Sequence, residues 1–130
     1  MSIVPHETCR ERQAAPSVHR GVLSGTDGRT YPWGNEEPGA RACWNRWSAK
    51  EGTCAVGSYA SGAFGLKDMA GNVWEWTASG YTEDYSRNRV SGARVQRGGG
   101  WSMADAPFLR SSHRRRGSSG IHDTGFRCAR

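Results

Sequence analysis

After residue 27 no helical period longer than about two turns runs through this chain; aromatic residues are punctuated by glycine instead. Long helices are therefore not its frame. Short strand-like runs fall at Ala55–Tyr59, Val73–Thr77 and Arg94–Arg97, with another near Gly125–Ala129, separated by long irregular stretches. The segment 27-DGRTYPWGNEEPG-39 is rich in turn residues, and there are no internal repeats. Such a chain is expected to hold itself together through large side chains and turns, with bound ions as a further option. Its hydrophobic fraction is 35% with 18 glycines, so the core leans on six tryptophans, each able to bury roughly 150–250 Å².

The 130 residues suit one domain with a modest core. Residues 1–26 are polar, with Pro5 and Pro16 and at most a short helix over Glu7–Ala15, and read as an arm ahead of a domain at 27–130. No apolar run approaches the ~18 residues of a membrane span, and residues 1–25 lack the apolar stretch of a signal peptide, so a soluble chain is expected. The net charge of +6 is almost entirely arginine, much of it in 110-RSSHRRRGSSGIHDTGFRCAR-130. A solvated or internally paired tract competes with a nucleic-acid surface. The run lacks interleaved aromatics, and no zinc-finger or helix-turn-helix pattern accompanies it, so nucleic acid is not the expected partner.

Cysteines stand at 9, 43, 54 and 128, with no CxxC pair and no zinc-ligand spacing with His6, His19, His113 or His122. Cys43 and Cys54 bracket a short loop, and a disulfide there would stabilise by roughly 3 kcal/mol through chain entropy. It would leave Cys9 and Cys128 as free thiols and imply an oxidising setting, periplasmic or secreted. The alternative is two reduced thiols in a cytoplasmic protein.

The segment 65-GLKDMAGNVWEWTASG-80 carries Asp68 before a glycine turn and Glu75 between two tryptophans. In an extended strand Val73 and Glu75 share one face and Trp74 and Trp76 the other. The two carboxylates could converge with turn carbonyls on a hard cation such as calcium. Alternatively Glu75 is buried and hydrogen-bonded. The residues alone leave both readings open.

The segments 30-TYPWGN-35, 64-FGLKDMAGNVWEWT-77, 94-RVQRGGGW-101 and 125-GFRCAR-130 together resemble the formylglycine-generating-enzyme, or sulfatase-modifying-factor, family. The resemblance implies an α+β, C-type-lectin-like fold poor in regular structure. It also implies a structural calcium on the side chains of Asp68 and Glu75 and the carbonyls of Gly71 and Val73. A second family calcium site would have Asn45 as its candidate, with Ser48 or Lys50 at other ligand places. The family's enzymes bind copper through two cysteines after an RGG-S motif and use oxygen to oxidise a sulfatase cysteine; soft thiolates suit Cu(I). Met103 and Phe108 occupy those places here, and Gly100 replaces the serine. Neither copper nor formylglycine synthesis is expected.

The family's upstream helix signature is missing from 10-RERQAAPSVHRGVLSGT-26, so the resemblance covers the C-terminal part of the family domain, preceded by an arm. Either this part folds by itself as a minimal lectin-like module, or it completes its core by pairing with a second copy as a homodimer. The leading functional expectation is a non-catalytic module binding a small molecule, glycan or peptide through Trp101, Phe108, Arg110, His113, Arg114 and Arg116. Aromatics would give area, and arginines would recognise carboxylate or sulfate-like groups. Each of these arginines has a plain structural alternative, satisfying loop carbonyls. A second class is an oxidoreductase of the wider family, which includes non-haem iron enzymes; His113 and His122 with Asp105 or Asp123 would have to meet in space. A truncated remnant is the third.

Overall fold

The computed structural model describes residues 27–47, 52–62, 64–84, 92–117 and 122–127. The expected helix at Glu7–Ala15, Ser48, Lys50, Cys9 and Cys128 lie outside them. Strands β1 (Trp74–Gly80), β2 (Arg94–Arg97), β3 (Arg115–Arg116) and β4 (Thr124–Gly125) form one mixed sheet in the order β3-β2-β1-β4. β2 pairs antiparallel with both β1 and β3, whereas β4 lies parallel to β1. Glu75 opposes Arg97 and Trp76 opposes Gln96; the register then shifts between Trp76 and Gly80.

Two of the anticipated strands are present nearly as read. Arg94–Arg97 is β2, and β1 begins one residue later than Val73 and runs on to Gly80. Of the terminal run only Thr124–Gly125 pairs among the described residues. Ala55–Tyr59 is not a strand. Gly57 adopts φ 78°, and the Ser58 amide and hydroxyl both donate to the Ala55 carbonyl, closing the segment into a turn. The short β3 falls inside the arginine tract, where no apolar alternation announces a strand, and a 3₁₀ turn forms at Ala106–Leu109 behind Pro107.

The core sits beside the sheet. Tyr31, Ala42, Ala70 and Leu109 are buried together, with Trp33 and Trp44 packed against them. The YPWGN segment closes on itself through paired backbone bonds between Tyr31 and Gly34, and the Trp33 ring stacks on Tyr31 at 5.2 Å. Cys43 and Cys54 form a disulfide with Cα atoms 6.1 Å apart. Asn72 ties both ends of that loop to the head of β1, donating from its amide to the Cys43 carbonyl and accepting the Cys54 amide on its side chain. Gly71 is required beside it. Its φ is 81°, and a Cβ there would lie 2.6 Å from the Cys43 carbonyl oxygen.

No helix among the described residues is long and apolar enough to cross a membrane.

Candidate functional site

Two places bring polar side chains together around β1. The first is the turn leading into it. Asp68, Gly71 and Asn72 all adopt positive φ, at 55°, 81° and 65°, so the chain coils tightly between Met69 and Val73. Glu75 follows on the strand, only 3% exposed. Its carboxylate is gripped by Arg127: Nε donates to Oε1 and Oε2 at 3.0 Å each, and Nη2 donates to Oε1 at 2.5 Å. The same guanidinium donates to the Asp68 carbonyl at 2.9 Å and the Lys67 carbonyl at 3.0 Å. One nitrogen thus touches both Glu75 and the backbone of Asp68. Burial pulls the Arg127 pKa down, but the Glu75 pair and the nearby Asp68 charge outweigh it, and the pKa rises above its ordinary value. The Asp68 side chain accepts the Gly57 amide at 2.6 Å.

These observations bear on the ion. Two carboxylates and a coiled turn make an oxygen-only donor set of the kind a hard cation takes, and each carboxylate oxygen has more than one lone pair to offer. The donor types are those calcium takes; in this structure Arg127 engages both Glu75 oxygens and the Gly57 amide engages one Asp68 oxygen. Sequence reading missed Arg127 as a site residue, although it lies in the GFR motif that carried the family resemblance. Asn45, the candidate for a second site, has φ 54° and donates its amide to the Met103 carbonyl.

The second place surrounds Trp74, 1% exposed. Phe108 meets its ring edge-on at 6.3 Å and 74°, and His113 lies 5.7 Å from Trp74 and 5.1 Å from Phe108. The Arg115 guanidinium covers the Trp74 ring at 4.0 Å and donates from Nε to Gln96 Oε1 at 2.8 Å. Its Nη2 is 3.6 Å from Asp123 Oδ1, an ion-pair distance beyond hydrogen-bond length, so both atoms count as unpaired while remaining electrostatically coupled. The other Asp123 oxygen accepts the Ser102 hydroxyl at 2.7 Å. Burial first, then the charges of Arg97 and Arg115, push the His113 pKa below its ordinary value. Arg115 and Asp123 were not among the expected ligand-binding residues; an arginine tract gives no hint which member turns inward.

The expected ligand-binding residues divide into groups. Phe108 and His113 stand together at Trp74. Trp101 instead joins Trp47 and His122, with ring centroids 5.5–5.8 Å apart. Arg114 lies over the Tyr81 ring at 4.9 Å and donates to the Thr82 and Glu83 carbonyls, which is the structural alternative for an arginine of this tract. Arg110 and Arg116 are exposed. His113 and His122 fall in separate ring groups. Among the described residues no three His, Cys, Asp or Glu side chains gather as a metal cluster.

A small mixed sheet poor in regular structure, with a carboxylate turn at the head of its central strand, is the formylglycine-generating-enzyme-like α+β class. The family model for the sulfatase-modifying factor enzyme 1-like domain matches residues 7–130, and the chain belongs to that family. Formylglycine-generating enzyme of Thermomonospora curvata is 34% identical over 134 residues, covering 81% of this chain and 44% of that protein. Hercynine oxygenase of Mycolicibacterium smegmatis is 38% identical over 103 residues, with 66% and 24% covered. The bovine (Bos taurus) inactive C-alpha-formylglycine-generating enzyme 2 is 33% identical over 125 residues, with 81% and 38% covered. Among solved structures, Treponema denticola variable protein 1 superposes with a TM-score of 0.72 at 25% identity, covering 88% of this chain and 45% of that one. The chain spans less than half the length of each of these relatives.

Proposed function

We propose that this chain is a non-catalytic binding module of the sulfatase-modifying-factor family, stabilised by a structural calcium. The observation that carries the proposal is the pair Met103 and Phe108 at the places where the family's enzymes hold copper with cysteines. A thioether and a phenyl ring cannot supply two soft thiolates. The neighbourhood supports the reading: Phe108 is packed edge-on against Trp74, and Gly100, in the serine's place, contributes no hydroxyl. A relative that is named an inactive C-alpha-formylglycine-generating enzyme supports the reading. The hercynine oxygenase relatives favour an oxidoreductase as the second reading. In this chain His113 packs with Trp74 and Phe108 and His122 with Trp47 and Trp101, and no three His, Cys, Asp or Glu side chains gather among the described residues, which argues against it.

The ligand of the module is a small molecule, glycan or peptide with a carboxylate or sulfate-like group. Arg110 and Arg116 are exposed guanidiniums of the arginine tract suited to such a group. Calcium is held by the Asp68 and Glu75 side chains with the Gly71 and Val73 carbonyls, where it cross-links the turn to the strand and does no chemistry. The Cys43–Cys54 bridge suits an oxidising compartment. Titration with Cu(I) against a competing chelator tests the central point. No tight binding is expected, and a stoichiometric site that outcompetes the chelator would overturn the reading.

A further inference from the structure

Arg127 shares one of the proposed calcium ligands, the Glu75 carboxylate, and otherwise bonds the Lys67 and Asp68 carbonyls beside the turn rather than those of Gly71 and Val73. Its guanidinium closes a fork on both Glu75 oxygens and reaches the carbonyls of Lys67 and Asp68, five hydrogen bonds in all. The Arg127 side chain is 14% exposed and that of Glu75 5%, so water screens this pair weakly. Oxygen atoms from a carboxylate and from turn carbonyls, converging on one positive centre, are the environment of a bound ion. Here the positive centre is covalently part of the chain. A second cation on the same carboxylate would find its lone pairs partly engaged and would be repelled by the guanidinium at short range.

We propose that Arg127 is a built-in cation at the calcium seat: it holds Glu75 and the Lys67–Asp68 backbone in place without an ion, and it weakens the chain's affinity for a divalent one. The first half stands on the hydrogen bonds alone. The second half rests on the calcium reading above. Arg127 acts here as a positioning residue, and its competition with the ion separates it from a merely structural side chain. Loss of packing would lower stability without changing the response to calcium. Loss of a competing charge increases that response.

The test compares the wild-type chain with Arg127→Gln and Arg127→Lys by thermal melting in chelator and in rising calcium chloride, with calcium affinity from isothermal titration. Arg127→Gln should melt well below wild type in chelator and be raised by calcium through a larger interval. Its calcium dissociation constant should be about tenfold tighter, the change expected for removing one neighbouring charge worth a single decade of binding. Arg127→Lys, which keeps the charge but not the fork, should fall between. An equal calcium response in wild type and Arg127→Gln overturns the competition. If neither wild type nor variants bind calcium at millimolar concentration, the calcium reading fails, and melting in chelator judges the first half: an Arg127→Gln that melts with wild type overturns it. Should Arg127→Gln not fold, the Arg127 Nε–H signal in ¹⁵N NMR of the wild type decides. Calcium should shift that signal, and saturation with the signal unmoved contradicts the proposal.

Discussion

Glu75 and Arg127 are 52 residues apart in the chain and form a bidentate ion pair at the head of β1. Breaking a buried pair by removing one charge strands the other in a poorly solvated place. Glu75→Gln should therefore destabilise the protein by about 3–5 kcal/mol, measured by denaturant unfolding. A change below roughly 1 kcal/mol would mean that the pair behaves like a surface one.

Calcium should add to that clamp. An ion that binds only the folded state at a hundred times its dissociation constant contributes about 2.7 kcal/mol. Excess chelator should accordingly lower the melting temperature of the purified protein, with recovery on adding calcium back. Calorimetry showing the same transition with and without chelator would remove the ion from the account.

His113 should make stability fall on the acid side. Burial and the charges of Arg97 and Arg115 hold its folded pKa below the ordinary 6.5. Between the two values the unfolded chain binds more protons than the folded one, so stability decreases as the pH falls through 6.5 toward the folded value. Melting temperatures across pH 5.0–7.5 should show this loss, and His113→Asn should flatten it. A wild-type profile that the substitution leaves unchanged would place the acid sensitivity elsewhere.

What could be read from the sequence was local. Arg94–Arg97 reads as a strand-like run and forms β2; Trp74–Gly80 follows a turn marked by glycine; Cys43 and Cys54 are close enough in sequence to close a loop whatever surrounds them. Ala55–Tyr59 misled because its composition suits a strand, while Gly57 and Ser58 supply a turn with its own hydrogen bonds. The sites were less legible. Glu75 was a buried acid or an ion ligand on sequence grounds, and its partner Arg127 lies too far along the chain for spacing to reveal. Phe108 and His113 do meet, yet Trp101 turns toward Trp47 and His122. Which residue of a tract packs inward depends on the strand register, here Gln96 opposite Arg115.

The Cys43–Cys54 bridge should be recovered from the purified protein. Proteolysis under non-reducing conditions should yield one mass in which the peptides holding Cys43 and Cys54 are joined. Two separate thiol-bearing peptides, obtained with alkylation before digestion, would withdraw the argument for an oxidising compartment.

The proposal that this chain makes no formylglycine is tested most directly by mass spectrometry of a Cys-x-Pro-x-Arg peptide incubated with the protein, copper, oxygen and a reductant. With Met103 and Phe108 where the enzymes keep their thiolates, the peptide mass should remain unchanged. Appearance of the aldehyde mass, lost again on substituting Cys9 or Cys128, would contradict the account and show that a relocated cysteine performs the oxidation.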